Sequence, residues 1–364
     1  MSSRQDESTN PLLHNREEWA IRKTVEVEST DPTTDAKKEL HWVPKLPRWR
    51  LHDTFQETAF DPVHFAEELD KGLTQRAPTV LYLAYGSNLS AETFKGRRGI
   101  KPLGAQNVVV PELMLTFDLT GIPYLEPCFA NVRYRQSRPS SPLDEKENPI
   151  RGETERRLLP WYENPKWKKG LVGVVYEVSL EDYATIIATE GGGASYKDVV
   201  VTCYTLPQNN EVPDYPDEML GFKAHTLYSP ASGSLDRDSM PLLAQGRTAR
   251  PDPDYAQPSA RYLKLLTDGA AEHELPVDYQ AYLKALKPYR ATTTRQRYAV
   301  AIFLKVIRPF VFLIFGLQSM FADSRGRSPK WVANITTVIF TVLWKSYDYF
   351  WKPVFGDGER TIGE

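Results

Sequence analysis

The stretch Leu81–Ser90, LYLAYGSNLS, is apolar for five residues and then changes at once to glycine, serine and asparagine. An apolar run that ends in turn residues predicts a buried strand followed by a tight turn. Such a turn exposes consecutive backbone N–H groups, and Gly86 has no side chain that would block a ligand, so the turn can bind an anion. An ordinary turn closed by Asn88 explains the same residues. A phosphate-binding loop is disfavoured, because no Gly-Lys-Ser/Thr sequence follows.

Further β-rich segments follow this one along the chain. Strands are predicted at TVLYLAYG, VVVPELMLTFD, FANVRY, GLVGVVYEVS and YKDVVVTCYTL, which are rich in β-branched and aromatic residues. Two amphipathic helices are predicted at SLEDYATIIATE and SARYLKLLTDGAAEH, with Ser179 and Ser259 as their N-caps. Because the strands outnumber the helices and do not alternate regularly with them, the pattern favours an α+β fold.

Composition predicts one main core with extensions, because 364 residues with 41% hydrophobic content suffice for one domain but not for several large ones. Polar or proline-rich segments without periodicity are typical of disordered regions and surface loops. The predicted organisation is a disordered or loosely packed extension at 1–60, a core domain at 61–290 with surface inserts near 135–168 and 229–258, hydrophobic helices at 298–352, and a polar tail at 353–364.

Charge and cysteine content exclude several classes of function. A formal net charge of -2 lacks the basic excess of a nucleic-acid-binding protein, so nucleic acid is not an expected partner. Cys128 and Cys203 lie in apolar stretches without CxxC spacing, which predicts two buried, reduced thiols and no thiolate metal site. The charged amino terminus has no apolar run as long as a signal peptide needs, so the core domain is expected to face the cytoplasm.

The carboxyl end contains two apolar runs, YAVAIFLKVIRPFVFLIFGLQSMF and WVANITTVIFTVLWKSYDYFW, of about the length that a bilayer core requires. Lys305, Arg308 and Pro309 interrupt the first run, and Lys345 interrupts the second. We expect this tail to associate with a membrane. Spanning helices, helices in the interface and a pair of buried helices packed on the domain all stay open. Deletion after about residue 290 is expected to release a soluble, functional domain.

In the segment IIATEGGGASYKDVV, a predicted amphipathic helix ends at Glu190 and meets three glycines. The helix dipole disfavours a carboxylate at this end, so something other than helix stability is expected to keep Glu190 there. Above an apolar core, such a carboxylate can serve as a general base and then as a general acid. A solvated glutamate that precedes a glycine cap is the alternative interpretation.

Three blocks of the sequence together resemble the signature blocks of the γ-glutamylcyclotransferase family, in the same order. They are YLAYGSNLS, then GLVGVVYEVS with the helix that ends in TEGGG, then PSARYLKLLTDGAAEHELPVDYQAYLKAL. The resemblance covers residues from about Pro78 to about Pro288. The YGSN form is more similar to the enzymes that act on γ-glutamyl amino acids than to the glutathione-specific branch.

The resemblance implies a small mixed β-barrel wrapped by helices, with one pocket at its mouth. It also implies release of a γ-glutamyl group from a small molecule as 5-oxoproline, without a metal or an organic cofactor: the α-amine attacks its own γ-carbonyl and expels the attached amine. Glu190 matches the family's catalytic glutamate. The family's substrate-binding positions match Tyr82, Leu83, Ala84, Tyr85, Gly86, Ser87, Asn88, Tyr262 and Tyr196.

The sequence also departs from the family pattern. The segment after Glu190 is richer in glycine, and Tyr196 lies one residue closer to this glutamate than the family tyrosine that it matches. The two inserts have no counterpart in compact members, which leaves the substrate open, and some fungal members act on glutathione adducts in secondary metabolism. Two further hypotheses stay open. One is an inactive cyclotransferase-like binding module tethered to a membrane, and the other is cyclotransfer that frees a γ-glutamyl-protected amine, as in some bacterial relatives.

Overall fold

The structure is a computed structural model that describes residues 43–52, 54, 79–135, 167–190, 196–206, 211–214, 216, 221–229, 250, 254–321 and 329–362. All of these residues belong to one compact unit, Val43–Glu364. Most of the two predicted inserts, and residues 1–42 of the predicted extension, lie outside the described residues.

The described strands are β1 (Thr79–Ala84), β2 (Gly104–Val110), β3 (Leu113–Ile122), β4 (Glu126–Tyr134), β5 (Leu171–Ser179), β6 (Lys197–Thr205) and β7 (Gly221–Tyr228). Five of them close into a small barrel in the order β1-β5-β2-β6-β7. Neighbouring strands are antiparallel except at the seam, where β7 and β1 are parallel and Tyr82 lies opposite His225. β3 and β4 form a separate hairpin. This architecture confirms the predicted α+β fold with a small mixed barrel.

Strands β1 and β5 are buried on both faces. Every residue of β1 after Thr79 is buried, and so are the first six residues of β5. Continuous burial of this kind requires apolar side chains without alternation, because one face fills the barrel and the other packs on neighbouring elements. The apolar runs TVLYLA and LVGVVY meet that requirement.

Two strands differ from the sequence prediction. The segment VVVPELMLTFD is split between β2 and β3, because Pro111 begins a turn between them. The sequence pattern does not predict β7, since the buried polar residues His225 and Thr226 interrupt its apolar positions. Both have partners inside the fold: Nδ1 of His225 lies 3.0 Å from Oδ2 of Asp198, and Oγ1 of Thr226 donates to the carbonyl oxygen of Leu83 at 3.0 Å.

The described α-helices are α1 (Arg48–His52), α2 (Leu180–Thr189), α3 (Ala260–Glu272), α4 (Val277–Ala285), α5 (Thr294–Phe321), α6 (Lys330–Ser346) and α7 (Lys352–Phe355). A 3₁₀ turn covers Ser87–Leu89, and π-helical segments cover Glu92–Arg97 and Tyr347–Trp351. Both predicted N-caps are confirmed. The N–H of Asp182 donates to Oγ of Ser179 at 3.1 Å, and the N–H of Tyr262 donates to Oγ of Ser259 at 3.0 Å.

Part of the predicted N-terminal extension is packed on the barrel. Leu46 is 6% exposed, and its N–H donates to the carbonyl oxygen of Ala105 at 3.3 Å. Nε of Arg50 donates to Oε1 of Glu177 in β5 at 3.0 Å. The predicted extension at 1–60 therefore includes a packed part, because a short apolar and basic stretch docks on the strands ahead of β1.

Helix α3 packs closely against the turn that follows β1, and Gly269 makes this approach possible. A Cβ atom at Gly269 would lie 2.4 Å from the backbone carbon of Leu89 and 2.6 Å from the backbone nitrogen of Ser90. These are backbone atoms, which cannot move aside as the end of a flexible side chain can. The helix and the turn are therefore held in one arrangement.

Helices α5 and α6 share a small hydrophobic core that includes one residue of the β3–β4 turn. That residue, Tyr124, is 3% exposed, and its ring makes edge contacts with Phe303 and Tyr347, each with a centroid distance of 5.6 Å. Trp344 is buried in the same cluster. Among the helices that the structure describes, none combines the length and the apolar content needed to cross a membrane.

After α7 the chain returns to the barrel domain. Tyr124 donates its N–H to the carbonyl oxygen of Gly358 and its hydroxyl to that of Gly356, each at 2.7 Å. The N–H of Gln257 donates to the carbonyl oxygen of Glu359 at 2.9 Å. The described part of the predicted polar tail is therefore packed. Cutting near residue 290 would remove these partners, so the structure does not support the expected release of a functional domain.

The returning segment buries two carboxylates. Glu359 is fully buried and accepts a hydrogen bond from Nε of Arg250 at 2.7 Å, and a carboxylate oxygen of Asp357 lies 2.9 Å from Nζ of Lys352. Burial alone would raise the pKa of Asp357, but Lys352 and the hydroxyl of Tyr255 outweigh it and lower that pKa. Removing one partner of a buried ion pair costs about 3–5 kcal/mol. The paired charges therefore define where the segment docks.

Replacing Gly269 by alanine should destabilise the fold by roughly 1–3 kcal/mol, the usual cost of overpacking, although alanine is the better helix former. Gly316→Ala in α5 is the matched control, since among the described residues no atom apart from the adjacent helix backbone lies within 4 Å of a Cβ placed there. That variant should gain about 0.5–1 kcal/mol. Thermal denaturation followed by circular dichroism measures both effects. A melting temperature for Gly269→Ala equal to or above that of the unmodified chain contradicts the close approach.

Candidate active site

Glu190 lies where α2 ends, and the local sequence explains why the helix stops there. Ser179 caps the start of the helix, and Tyr183 and Ile186 form its buried face. The N–H of Glu190 makes the last helical hydrogen bond, to the carbonyl oxygen of Ile186 at 3.0 Å. Its φ and ψ of -93° and 58° then leave the helical region. The side chain is 20% exposed, so a small molecule in solution can still reach it.

Two side chains hold the Glu190 carboxylate from the loop after β1. Nδ2 of Asn88 donates to Oε1 of Glu190 at 3.0 Å, and Nη2 of Arg98 donates to the same oxygen at 2.5 Å. Asn88 is 3% exposed and also bonds to the hydroxyl of Tyr82 at 2.9 Å. Within the described residues, Oε2 of Glu190 accepts no hydrogen bond. One carboxylate oxygen is therefore fixed, and the other has no hydrogen-bond partner among these residues.

Tyr262 of α3 faces the turn from the opposite side. Its hydroxyl oxygen accepts a hydrogen bond from the N–H of Ala130 at 3.1 Å and also bonds to the backbone of Ser87. A Cβ atom on Gly86 would lie 3.2 Å from that hydroxyl. The φ of Gly86 is -109°, so this position favours glycine because of the limited space and not because of a left-handed backbone.

The tyrosines around the turn stay protonated at neutral pH. Burial, and then the charge of Glu190, raise the pKa of Tyr82. Burial is also the main cause of the raised pKa of Tyr262, to which Glu190 contributes. Burial and the neighbouring tyrosines, first Tyr196, raise the pKa of Tyr85. These hydroxyls can therefore donate hydrogen bonds but do not serve as bases, which leaves Glu190 as the candidate base.

The predicted site residues fall into two groups in the structure. The residues that the structure brings together around the turn and the end of α2 are Tyr82, Tyr85, Gly86, Ser87, Asn88, Tyr262 and Glu190. Leu83 and Ala84 instead lie in β1 with fully buried side chains, where they pair with β5 and carry the turn. Tyr196 lies just before β6, packs on the barrel core and is close enough to Tyr85 to affect its pKa. Their contacts with a substrate stay predictions.

Sequence reasoning missed Arg98. Its guanidinium bonds to Oγ1 of Thr189 through Nη1 as well as to Glu190 through Nη2. The available signal was the pair Arg97 and Arg98 in KGRRGI, soon after the YGSN turn. Two adjacent arginines usually lie on the solvated surface and not in a functional site. The end of α2 is distant from them in sequence and comes close to them only in the folded chain.

The arrangement fits acid–base chemistry on a small polar substrate. It combines a carboxylate with one oxygen that accepts no hydrogen bond within the described residues, buried hydroxyl donors, and a turn where Gly86 has no side chain that would block a ligand. In the part of the chain that the structure describes, no group of three or more His, Cys, Asp or Glu side chains could hold a metal ion. The fold and the site fit an enzyme, and Glu190 is its candidate acid–base group.

Comparison with known proteins identifies relatives over most of the chain. The γ-glutamyl cyclotransferase gliK of Aspergillus fumigatus is 28% identical over 281 residues, which cover 77% of this chain and 89% of that one. The γ-glutamyl cyclotransferase aclK of Aspergillus oryzae is 29% identical over 298 residues, or 80% of this chain and 94% of that one. The γ-glutamyl cyclotransferase verK of Clonostachys rogersoniana is 30% identical over 146 residues, or 40% and 70% of the two chains.

The chain belongs to the γ-glutamyl cyclotransferase family, and it is an enzyme of that family. Its tail has a match of its own: residues 293–354 match the family model described as the AclK C-terminal domain. The tail is therefore similar to a domain that has been described.

Replacing Gly86 by valine should lower turnover by about 10²-fold, the scale that a misplacement of about 1 Å costs, because the new side chain would displace the Tyr262 hydroxyl. Gly86→Ala should lose less, since its Cβ needs a shift of only a few tenths of an ångström. Gly96→Ala in the next segment is the control, because the nearest atom to its Cβ lies 3.8 Å away. Steady-state kinetics measure the turnover of all three variants, which should be lowest for Gly86→Val and highest for Gly96→Ala. Full activity of Gly86→Val would show that the turn does not line the pocket.

Proposed function

We propose that this chain releases 5-oxoproline and a free amine from a γ-glutamyl compound. The observation that carries the proposal is the hydrogen bond between Asn88 of the YGSN turn and Glu190. This hydrogen bond connects two parts of the site. One is a turn that can bind the glutamyl unit, and the other is a carboxylate that can move the protons of that unit. Membership of the γ-glutamyl cyclotransferase family supports the same reaction.

The turn would bind the substrate through its α-carboxylate. Gly86 leaves room beside the hydroxyl of Tyr262, whose oxygen already accepts the N–H of Ala130. The hydroxyl hydrogen can therefore be donated to an anion in that space. Burial of Tyr262 strengthens such a hydrogen bond, because the local dielectric is low.

Glu190 would then act on the α-ammonium group of the bound glutamyl unit. Its open oxygen takes a proton, the neutral amine attacks the γ-carbonyl carbon, and a five-membered ring closes. The bond between that carbon and the leaving nitrogen breaks as Glu190 returns a proton to the nitrogen. Glu190 then passes a second proton in the same way from the ring nitrogen to the released amine, so the α-nitrogen loses two protons in all and the leaving nitrogen gains two. Oriented intramolecular attack of this kind can lower the barrier by roughly 7–11 kcal/mol.

Replacing Glu190 by glutamine should lower turnover by roughly 10²–10⁴-fold, because glutamine keeps the size of the side chain but cannot carry the proton. Glu181→Gln is the matched control: it makes the same change on an exposed residue in the first turn of α2. The measurement is 5-oxoproline formation by the purified full chain, followed by mass spectrometry. Wild-type turnover in Glu190→Gln would show that this carboxylate is not the base.

The same assay tests the substrate class. A γ-glutamyl dipeptide, glutathione and a glutathione S-adduct are offered separately to the unmodified chain. Faster turnover of the adduct supports a role in the processing of conjugated metabolites, and faster turnover of the dipeptide supports a role on γ-glutamyl amino acids. Absence of 5-oxoproline with all three contradicts the proposed function and favours a binding module.

We further propose that the tail holds the enzyme on the surface of a membrane, with the barrel on the cytoplasmic side. Large apolar side chains are exposed in a row along one face of each long helix. In α5 and α6, with the segment that follows, these side chains are Tyr298, Ile302, Val306, Leu313 and Met320, then Trp331, Val338, Val342 and Tyr349. Exposed apolar rows of this length mark an interaction surface.

The side chains beside these rows suit a lipid interface. Tyr298 and Trp331 present aromatic rings, which favour the headgroup region. Lys305 and Arg308 are exposed next to the row on α5, and their long side chains can reach anionic headgroups while their stems stay in the apolar layer. A protein partner would require these charges to be paired, whereas a bilayer surface accommodates them.

The double variant Val338→Gln with Val342→Gln should weaken binding to vesicles that contain anionic lipid by roughly tenfold or more, since two apolar side chains no longer enter the interface. Val277→Gln is the control, because Val277 is 52% exposed but lies in α4 of the barrel domain. Cosedimentation of the full chain with vesicles measures the effect. Lack of binding, or self-association through the same rows without vesicle binding, overturns the proposal.

A further inference from the structure

The end of α2 is an unfavourable place for the charge of Glu190. The helix dipole contributes about half a negative charge there, and the last turn of α2 contains no basic residue. Thr189 and Glu190 together present a hydroxyl and a carboxylate, neither of which neutralises that charge. Compensation has to come from another part of the chain.

Arg98 supplies this compensation. It follows the π-helical segment Glu92–Arg97, and its guanidinium bonds to Oγ1 of Thr189 and to Oε1 of Glu190. The side chain is 12% exposed, and its Nε is buried without a partner among the described residues. In that part of the chain, its side-chain hydrogen bonds all go to the end of α2.

We infer that Arg98 is a positioning residue for the candidate base. Together with Asn88 it fixes Oε1 of Glu190, so that Oε2, which has no hydrogen-bond partner among the described residues, is the oxygen that takes the proton of the α-ammonium group. The inference rests on the proposed function, because only a proton-transferring Glu190 needs one oxygen fixed and the other free. A fixed carboxylate spends more of its time in the geometry for proton transfer.

The charge of Arg98 also matters after the first proton transfer. Once Glu190 is protonated, the guanidinium has lost its counter-charge in a nearly buried place, which is unfavourable. Returning the proton to the leaving nitrogen restores the ion pair. Arg98 therefore favours completion of the cycle, in which the carbon–nitrogen bond breaks and Glu190 is again ionised.

Replacing Arg98 by methionine should lower kcat by about 10²-fold, the cost of a misplacement of about 1 Å, with little change in KM. Arg97→Met is the matched control, because the Arg97 guanidinium pairs with Glu92 at 2.5 Å on the surface. Arg98→Lys should recover part of the turnover, since lysine keeps the charge but not the fork of donors. Melting temperatures of all variants are measured beside the kinetics.

Guanidinium ion added far below denaturing concentration separates positioning from a structural role. It should raise kcat of Arg98→Met and leave that of the unmodified chain unchanged, with sodium chloride at equal ionic strength as the control. Two results overturn the inference and leave the proposed function standing. One is a normal kcat in Arg98→Met, and the other is a loss of activity matched by unfolding in both Arg98→Met and Arg98→Lys. Absence of 5-oxoproline with the unmodified chain overturns the proposed function and the inference with it.

Discussion

Glu190 carries its charge at the end of α2, where the helix dipole opposes it, and the other parts of the site depend on this constraint. The carboxylate is held because Asn88 and Arg98 reach it from the loop after β1. That loop is fixed in turn by α3, which packs closely against it. Helix α3 begins at Ser259, whose hydroxyl donates to Glu126 of β4 at 2.6 Å. The geometry of one side chain thus depends on elements that come from distant parts of the chain.

The same set of contacts continues into the tail. Gln257, just before α3, receives the returning segment, and Tyr124 lies in the turn just before β4. The φ of Tyr124 is 66°, in the left-handed region that a tyrosine rarely adopts, at a cost of about 1–3 kcal/mol. Its hydrogen bonds to Gly356 and Gly358 hold it there. The tail therefore contributes to the placement of β4 and α3 and is not merely appended to the barrel.

Features that depend on near neighbours could be predicted from the sequence. The strand before the YGSN turn and the caps at Ser179 and Ser259 follow from periodicity and local hydrogen bonding. Features that depend on distant partners could not. Strand β7 lacks an apolar pattern because His225 has a partner on another strand, and Arg98 resembles a surface residue until α2 lies beside it. For the site, local physics left two interpretations of Glu190, and only the family resemblance favoured one of them.

The seam of the barrel also determines how the chain can fold. Strand β1 is made early, but the partner that closes the barrel, β7, follows much later: Leu83 and Thr226, which bond across this seam, are 143 residues apart. At synthesis rates of about 5–20 residues per second, β1 waits roughly 7–30 s for β7. During that time an apolar strand has an unpaired edge, which other chains can join. Contacts of such long range also slow closure after synthesis. The edge of β1 is therefore open to pairing with other chains until β7 has been made.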